Sequence, residues 1–456
     1  MNIIKSIFKA YDIRGIVDSE LTPQIIELIG KALGTYSIEC GENEFVVGRD
    51  GRLSGAWIRD SLIKGITSTG CFVVDIGINP TPVVYFAAKT TTAKSGVMIT
   101  GSHNPPEYNG LKMVIAGKTL AGDEISNLYE IIKNAKFTIG KGLKTGADIK
   151  DSYLNAITDD VKISKKLKIV VDCGNGVAGE LAPKLYRQMG AEVIELFCEI
   201  DGTFPNHHPD PSKPENLVDL IAKVKESGAD MGFAFDGDGD RLGLIDNLGS
   251  IIWADRQMML YAQDILTRDA GAKIIFDVKC SANLPKHIEK CGGKAIIGRT
   301  GHSFIKAQII KEDAALGGEM SGHIFFKERW FGFDDALYTG SRLLEIISKQ
   351  NKTVAEVFAS LPDSINTPEI NINFDKQGAQ FKAMELLNAD IDFADAKITT
   401  IDGVRVDYDY GWGLVRPSNT TPCLVLRFEA DTADNLVKIQ VQFKKWLDKN
   451  NITNKL

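Results

Sequence analysis

Apolar and polar positions along the chain form a unit that occurs three times. Each unit contains a β-rich apolar run, a polar loop with glycine or serine, a helical stretch that ends in glycine, and a second apolar run. The units begin at the apolar runs 45–47, 169–171 and 274–276. A strand, a helix and a second strand in this order predict right-handed βαβ connections and a mostly parallel sheet. The repetition predicts three α/β domains in series.

The pattern changes after residue 362. Short apolar runs follow one another there, and a helical pattern covers residues 434–448. Strands grouped ahead of a helix predict an α+β domain. Its predicted strands cover residues 370–374, 398–401, 403–408, 412–415 and 423–429. We therefore predict three tandem α/β domains with mixed or parallel sheets, at 1–148, 149–250 and 251–362, and a C-terminal α+β domain at 363–456.

The composition is that of a soluble globular protein. The chain has 456 residues, of which 44% are hydrophobic and 25% are charged, and this length corresponds to about three or four domains. The net charge of -7 gives no basic surface, so we expect no nucleic-acid partner. Phosphate binding must then depend on local cationic loops.

The sequence lacks the patterns of export and membrane insertion. The N-terminal stretch is interrupted by Lys5 and Lys9, and no apolar run is long enough to span a membrane. The seven cysteines are odd in number and form no CxxC pair, which favours a reducing compartment without structural zinc. We therefore predict a cytoplasmic protein with no membrane partner.

Three aspartates, Asp236, Asp238 and Asp240, alternate with two glycines after the apolar run 231–235. The glycines favour a tight turn at the end of a strand, in which the carboxylates fold around one point. Three negative charges so close together repel one another and imply a cation between them. Ligation by oxygen alone suits Mg²⁺, Ca²⁺ or Mn²⁺.

Three other interpretations of this turn can be compared with the sequence. An EF-hand requires glycine and glutamate where this chain has Arg241 and Asn247, so that interpretation fails. An acidic surface turn is the simplest alternative. An aspartyl-phosphate enzyme also begins with a strand and a DxDG sequence, which residues 236–239 satisfy. In that class Asp236 would be the nucleophile, and this alternative stays open.

A second polar loop, residues 100–106, follows the apolar run 97–99 and contains Ser102 and His103. Ser102 is a candidate nucleophile, with His103 or a neighbour as its base. Lys112 follows a short turn and is suited to neutralising a phosphate or transferring a proton. An ordinary turn and a solvated lysine are the alternatives.

The stretch 174–179 has the spacing of a dinucleotide-binding fingerprint, and Glu195 lies at a suitable distance after it. The unit lies in the middle of the chain and Asp172 precedes the glycines. The other polar loops have no role in hydride transfer. We therefore do not expect a nicotinamide cofactor.

Three further loops combine glycine with polar side chains. Residues 299–302 and 317–323 contain hydroxyl, carboxylate and imidazole groups, and Glu319 and Ser321 are suited to binding neighbouring sugar hydroxyls. Residues 416–422 offer a guanidinium, hydroxyls, an amide and backbone N–H groups, which fit a phosphate dianion. Structural histidines and plain turns are the alternatives.

Five of these loops, in this order, resemble those of the α-D-phosphohexomutases, and most closely the bacterial phosphomannomutase/phosphoglucomutase branch. The loops are YDIRG at 11–15, TGSHNP at 100–105, DGDGDR at 236–241, GEMSGH at 318–323 and RPSNTTP at 416–422. The resemblance covers the whole chain. It implies four domains around a central active-site cleft, each of which contributes one loop.

The resemblance also implies roles for individual residues. Ser102 matches the phosphoserine of the family, and Asp236, Asp238 and Asp240 match its Mg²⁺ ligands, with a phosphoryl oxygen on Ser102 completing the site. The implied catalytic residues are Ser102, His103, Lys112, Arg14 and Arg241. The implied substrate-binding residues are Tyr11, Lys279, His302, Glu319, Met320, Ser321, Gly322, His323, Arg416, Pro417, Ser418, Asn419 and Thr420.

The implied activity is the interconversion of hexose 1-phosphate and hexose 6-phosphate through a hexose 1,6-bisphosphate, which is both intermediate and activator. Lys112 is the first choice for proton transfer, followed by His103 and His323. Met320 favours mannose and glucose phosphates, because glucosamine mutases more often have glutamine there. The implied partners are small sugar phosphates, and the chain is expected to be a monomer or a dimer.

Three alternatives remain at this point. One is a phosphoglucosamine mutase of the same family. Another is an aspartyl-phosphate mutase or phosphatase that uses Asp236. The third is a sugar-phosphate-binding protein without catalysis.

Overall fold

The computed structural model describes residues 3–376, 378–419 and 421–452. These residues form four sheets in chain order, each with its own helices. Short 3₁₀ turns at Lys5–Ile7, Val177–Gly179 and Pro214–Leu217 connect some of the elements.

The first sheet is mixed. Its strands are β1 (Ile13–Ile16), β2 (Glu44–Arg49), β3 (Phe72–Ile78), β4 (Ser95–Ile99), β5 (Tyr108–Ile115), β6 (Lys118–Thr119) and β7 (Lys144–Gly146), and its helices are α1 (Pro23–Glu39), α2 (Gly55–Thr67), α3 (Thr81–Thr90) and α4 (Asp123–Lys133). The strand order is β1-β5-β4-β2-β3-β7, with β6 beside β5. Strands β4, β2, β3 and β7 are parallel, and β5 and β1 are antiparallel to their neighbours.

The second sheet places the acidic turn between two antiparallel strands. Its strands are β8 (Lys168–Asp172), β9 (Glu192–Leu196), β10 (Met231–Phe235), β11 (Leu242–Asp246) and β12 (Ile251–Ile252), and its helices are α5 (Lys150–Asp160), α6 (Leu181–Gln188) and α7 (Val218–Ser227). The order is β12-β11-β10-β8-β9. All five residues of β10 are buried, so the turn that follows it begins inside the protein.

The third sheet has the order β14-β13-β15-β16. Its strands are β13 (Lys273–Asp277), β14 (Lys294–Gly298), β15 (Leu316–Gly318) and β16 (Ile324–Phe326), and the accompanying helices are α8 (Ala254–Leu266), α9 (Asn283–Lys290), α10 (His302–Glu312), α11 (Ala336–Ser348) and α12 (Val354–Ala359). Strands β14, β13 and β15 are parallel, and β16 is antiparallel to β15.

The fourth sheet is antiparallel throughout. Its strands are β17 (Ile365–Asn366), β18 (Ile370–Asn373), β19 (Lys397–Thr399), β20 (Val404–Tyr408), β21 (Gly411–Pro417) and β22 (Cys423–Ala430), and its helices are α13 (Ala379–Ala389) and α14 (Ala433–Lys449). Helix α13 was absent from the predicted elements. It is short and buries few side chains, among them Ala383, Met384 and Leu387, so its apolar pattern is weak.

Packing joins the first three sheets into one body. A continuous apolar core includes Val46 of the first sheet, Phe233 of the second and Phe276 of the third. The fourth sheet and α14 have a separate core. The predicted arrangement of three α/β domains and one α+β domain is confirmed, and the predicted residue limits of the domains stay predictions. Among the described residues, no helix has the length and apolar character needed to cross a membrane.

Candidate active site

A cavity of about 730 Å³ lies where the loops of all four sheets meet. It brings together most of the residues singled out by sequence. Those that line it are Tyr11, Arg14, Ser102, His103, Lys112, Arg241, Lys279, His302, Glu319, Met320, Ser321, His323, Arg416, Ser418 and Asn419. Gly322 and Pro417 belong to lining loops but are not lining residues themselves, and Thr420 lies outside the described residues.

Residues 100–106, here called the Ser102 loop, leave the end of β4 and present one hydroxyl to a carboxylate. Ser102 is 4% exposed and its φ of 50° lies in the left-handed region. Its N–H donates to Thr100 Oγ1 at 2.7 Å. The Ser102 hydroxyl donates to Asp236 Oδ2 at 3.1 Å and lies 3.1 Å from His103 Nδ1. The predicted nucleophile therefore contacts both its predicted base and one of the three aspartates.

Residues 236–241, here called the carboxylate turn, connect β10 to β11 beneath the Ser102 loop. Asp236 Oδ1 accepts the N–H groups of Asp240 and Arg241 at 3.1 and 3.2 Å. A Cβ on Gly237 would lie 2.4 Å from the Ser102 carbonyl oxygen. Glycine is therefore required at residue 237 for the turn to approach the Ser102 loop.

The carboxylate turn has the donor set of a hard divalent cation. Asp236, Asp238 and Asp240 are fully buried, and one carboxylate oxygen from each lies within 4.8 Å of the others. Asp238 Oδ1 and Asp240 Oδ1 have no hydrogen-bond partner among the described residues. Buried carboxylate oxygens without partners are costly unless a cation compensates them. The residues present therefore fit a divalent metal ion.

Lys112 is paired with the same carboxylates. Its Nζ donates to Asp238 Oδ2 at 2.7 Å and to Asp240 Oδ2. Burial alone would lower the pKa of Lys112, but the charges of Asp238 and Asp240 raise it well above its usual value. Thr81 Oγ1 also donates to Asp238 Oδ2, at 2.5 Å. Lys112 is therefore held as an ammonium ion.

The three carboxylates of the turn differ in proton affinity. Burial and the charges of Asp238 and Asp240 raise the pKa of Asp236 to about 7. Burial acts in the same direction on Asp238, but the charge and hydrogen bond of Lys112 lower the pKa of that carboxyl below its usual value. Asp236 is therefore more readily protonated than Asp238.

Two arginines bind groups that surround Ser102. Arg241 Nε donates to Asp236 Oδ2 at 2.9 Å, and Arg241 Nη1 donates to Asp210 Oδ1 at 3.3 Å. Arg14 Nη1 donates to the Gly101 carbonyl at 2.8 Å and Arg14 Nη2 to Asp12 Oδ2 at 2.5 Å. Both guanidinium groups line the cavity together with their carboxylate partners Asp12 and Asp210.

A second polar cluster surrounds Asp334 behind the cavity. His323 Nδ1 lies 3.1 Å from Asp334 Oδ2 and 3.5 Å from Asp240 Oδ1, and Lys306 Nζ donates to Asp334 Oδ1 at 2.9 Å. Burial alone would lower the pKa of His323, but Asp240 and Asp334 raise it. For His302, burial and the charge of Lys306 lower the pKa well below its usual value.

Residues 318–323, here called the Glu319 loop, hold their polar groups against each other. Glu319 Oε1 accepts the Gly301 N–H at 2.8 Å and Glu319 Oε2 accepts the Ser321 hydroxyl at 3.1 Å. The Met320 N–H donates to Asp277 Oδ1 at 3.2 Å. The carboxylate and the hydroxyl therefore stand together at the cavity wall.

Residues 416–422, here called the Arg416 loop, reach the cavity from the fourth sheet. Arg416 Nε donates to Asp402 Oδ2 at 3.0 Å, and the same oxygen accepts the Thr300 N–H at 3.0 Å. Lys279 of the third domain donates to Glu369 Oε1 at 2.8 Å. Two carboxylates of the fourth domain thus position two cations at one end of the cavity.

Several residues that organise this site had no signal in the sequence. Each pairs with a cationic side chain that lies 14 to 90 residues away in the chain, which no local pattern shows; these residues are Asp210, Asp334, Asp402 and Glu369. Arg52 belongs to a charged turn directly after the first predicted strand, and that position was a usable signal.

The glycine-rich stretch 174–179 has a packing role in this structure. The Val177 N–H donates to the Gly237 carbonyl at 3.1 Å. A Cβ on Gly176 would lie 3.0 Å from Gly237 Cα, and one on Gly179 would lie 2.0 Å from the Cys198 carbonyl oxygen. The glycines allow this stretch to support the carboxylate turn.

Comparison with known proteins gives matches along the whole chain. Models of phosphoglucomutase/phosphomannomutase alpha/beta/alpha domains I, II and III match residues 5–139, 151–249 and 253–365, and the C-terminal domain of the same proteins matches residues 369–445.

Curated relatives and solved structures give the same result. A phosphomannomutase/phosphoglucomutase of Pseudomonas putida is 55% identical over 97% of this chain and 95% of its own length. A phosphoglucomutase of Neisseria meningitidis is 52% identical over 98% of both chains. The crystal structure of a phosphoglucomutase/phosphomannomutase family protein from Burkholderia thailandensis superimposes with a TM-score of 0.95 and 47% identity over 100% of both chains.

Proposed function

Because the chain belongs to the phosphoglucomutase/phosphomannomutase family and is therefore a phosphohexomutase, we propose that Ser102 carries the phosphoryl group between the C1 and C6 oxygens of a hexose. The observation that carries this proposal is the contact of the Ser102 hydroxyl with both His103 and Asp236 at the wall of the shared cavity. The proposed substrates are mannose and glucose phosphates.

A carrier is needed because the two sugar oxygens are too far apart for direct transfer. The free hydroxyl of the bound hexose phosphate attacks the phosphorus on Ser102, and the bond from phosphorus to Ser102 Oγ breaks. The hydroxyl loses its proton, Ser102 Oγ gains one, and a hexose 1,6-bisphosphate forms. After the sugar has turned around, Ser102 attacks the other phosphate and recovers a phosphoryl group. Added hexose 1,6-bisphosphate activates the enzyme by supplying that group.

The Arg416 loop and Lys279 are proposed to hold the phosphate that does not react. A guanidinium and an ammonium beside hydroxyl and amide groups are suited to a phosphate dianion. Glu319 and Ser321 are proposed to bind two hydroxyls of the sugar, which allows both orientations of the hexose. Tyr11, His302 and Met320 line the same wall and are proposed to contact the ring.

The transferring group is proposed to meet positive charge from Arg14, Lys112 and Arg241. Charge stabilisation of this kind is the main contribution to phosphoryl transfer. Asp236, Asp238 and Asp240, with a phosphoryl oxygen on Ser102, would hold Mg²⁺. When bound, the ion supplies further positive charge to the transferring phosphoryl oxygens.

Proton transfer is assigned from the charge states of the candidates. Lys112 is held as an ammonium ion, so it is proposed as a charge partner of the transferring group. Burial lowers the pKa of His103 well below its usual value, so its imidazole is neutral. His103 contacts Ser102 Oγ and is proposed to accept the proton when Ser102 attacks phosphorus. His323 is the remaining candidate for the sugar hydroxyl.

A cytoplasmic location and a monomeric or dimeric state stay predictions. The seven cysteines are free thiols, which agrees with the reducing compartment expected from the sequence.

The proposal is tested by supplying mannose 1-phosphate, glucose 1-phosphate and glucosamine 1-phosphate separately, with Mg²⁺ and glucose 1,6-bisphosphate. We expect the 6-phosphates of mannose and glucose to form, and Ser102→Ala to form neither. Turnover of the glucosamine compound alone would contradict the substrate assignment. Release of inorganic phosphate in place of an isomeric product would contradict the mutase reaction.

A further inference from the structure

Arg52 is a completely buried guanidinium beneath the Ser102 loop, and it is not a lining residue of the cavity. Its Nη2 donates to the carbonyl oxygens of Ser102 and Asn104 at 2.8 and 2.6 Å. Its Nη1 donates to the carbonyl oxygens of Pro105 and Tyr108 at 2.6 and 3.0 Å. One side chain therefore binds four backbone carbonyls of residues 102–108.

The carboxylate of Asp50 binds the side chain of Arg52 and two donor groups of the same loop. Asp50 Oδ2 accepts Arg52 Nε at 3.2 Å, the Thr100 hydroxyl at 2.8 Å and the Gly101 N–H at 3.2 Å. The acidic partner thus binds the donors of the Ser102 loop, while the basic partner binds its acceptors. The pair fixes the backbone on both sides of Ser102.

The backbone of Ser102 requires such support. Its φ of 50° is uncommon for a residue with a side chain and persists only where the surroundings enforce it. The Ser102 carbonyl points between Arg52 and the carboxylate turn, where a Cβ on Gly237 would lie 2.4 Å from it. Rotation of this peptide would break the bond to Arg52 and redirect the Ser102 hydroxyl away from Asp236.

A loop of the second domain, residues 197–208 and here called the clamp loop, holds Arg52 from the other side. The Phe204 ring lies 5.1 Å from the guanidinium carbon. His208 Nε2 lies within hydrogen-bonding distance of the His103 carbonyl. A Cβ on Gly202 would lie 2.6 Å from the Gly51 carbonyl oxygen. The Ser102 loop is therefore held against the domain that carries Asp236.

We propose that Arg52 is a positioning residue for phosphoryl transfer. It holds Ser102 in the left-handed conformation that directs Oγ at Asp236, and it maintains this geometry while the serine gains and loses its phosphoryl group. The inference rests on the proposed function. Only a planar guanidinium presents enough donors in fixed directions for four carbonyls and one carboxylate. A lysine at residue 52 keeps the charge but satisfies fewer of these acceptors.

The test compares wild type with Arg52→Lys. A displacement of about 1 Å in a reacting group can lower a rate about 10²-fold. We therefore expect kcat and the rate at which glucose 1,6-bisphosphate phosphorylates Ser102 to fall together by about 10²-fold. The KM for glucose 1-phosphate should stay unchanged, because Arg52 is not a lining residue of the cavity. Arg52→Gln, which keeps a planar donor, is the second variant.

Arg342→Lys is the matched control. Arg342 is equally buried, pairs with Asp264 and Glu328 at 3.0 and 2.9 Å, and lies over the Phe326 ring. This control should lose stability in urea but keep the kcat of its folded fraction.

Other outcomes would overturn the proposal. Wild-type kcat in a folded Arg52→Lys, or failure of both Arg52 variants to fold while Arg342→Lys folds, would make Arg52 a structural residue only. Absence of mutase activity in the wild type would instead contradict the proposed function.

Discussion

At the scale of single residues, the site consists of buried charges that compensate one another. Asp238 accepts the Lys112 ammonium and the Thr81 hydroxyl on one oxygen, and its other oxygen has no hydrogen-bond partner in the described part of the chain. A hydrogen bond of this kind orients a ligating carboxylate. The affinity for the metal ion should therefore depend on Thr81, which is itself no ligand.

Thr81→Val removes the hydroxyl and keeps the volume of the side chain. Loss of such a supporting contact typically weakens metal binding about 10- to 100-fold, and we expect the Mg²⁺ concentration for half-maximal activity to rise by about 10-fold. Thr339→Val is the control, because the Thr339 hydroxyl donates to the carbonyl of Asp335, the residue before α11. Equal Mg²⁺ requirements in both variants would contradict this role.

Some residues of the site could be predicted from the sequence and others could not. Ser102 and the three aspartates were predictable because each group is contained in one short loop that follows an apolar strand. Asp210, Asp334 and Asp402 were not, because their partners Arg241, Lys306 and Arg416 lie outside the short segment that contains each aspartate. A residue whose chemistry depends on a distant partner has no local pattern.

At the scale of elements, the glycine-rich stretch and the clamp loop pack against the two loops that contain the carboxylates and Ser102. The stretch 174–179 has the spacing of a dinucleotide-binding fingerprint, and in the structure its Gly176 packs closely under the carboxylate turn. The sequence predicted the strands well because their apolar runs are buried. It could not predict what lies against a loop, since that depends on segments distant in sequence.

The clamp loop also contains a histidine, His207, whose contact with Asp172 depends on pH. His207 Nε2 lies 3.0 and 3.1 Å from the two oxygens of Asp172. Burial alone would lower the pKa of His207, but the hydrogen bond and charge of Asp172 raise it above 6.5. A raised folded pKa means that this stabilisation is complete below pH 6.5 and is lost as pH rises through the folded value.

His207→Gln tests this dependence. The difference in urea midpoint between wild type and variant should be largest below about pH 6.5 and shrink as pH rises. His287→Gln is the control, because burial and Lys290 lower the pKa of His287. Its difference in urea midpoint should therefore change with pH in the opposite direction. A His207 difference that stays constant with pH would contradict the assigned charge state.

At the scale of the whole molecule, the cavity depends on how the fourth domain meets the third. Asp402 joins Arg416 to the Thr300 N–H, and Lys279 pairs with Glu369. Arg405 also donates to the carbonyls of Val278 and Cys280, both at 2.7 Å. The end of the cavity that is proposed to bind phosphate is therefore assembled from two domains and not from one loop.

Asp402→Asn should weaken substrate binding more than turnover. The substitution removes the charge that orients Arg416, and hydrogen bonds to charged groups contribute roughly 1.5–3 kcal/mol, so we expect KM to rise about 10-fold with a smaller change in kcat. Asp390→Asn is the control, because Asp390 pairs with Lys449 at the surface. If KM is unchanged in Asp402→Asn, Arg416 does not hold the substrate phosphate.

The arrangement of four domains and the family were both predictable, because five loops in a fixed order specify more than any one of them. The contacts between domains were not, because they join segments that are hundreds of residues apart in some cases, such as Tyr11 and Ser303. The roles of the site residues stay proposals that the substitutions above address.

The most direct test of the central claim is to map the phosphorylated residue by mass spectrometry after incubation with glucose 1,6-bisphosphate and Mg²⁺. We predict an acid-stable phosphoryl group on Ser102, present in wild type and absent together with activity in Ser102→Ala. A base-labile phosphoryl group on Asp236, with Ser102 unmodified, would contradict the account and favour an aspartyl-phosphate mechanism.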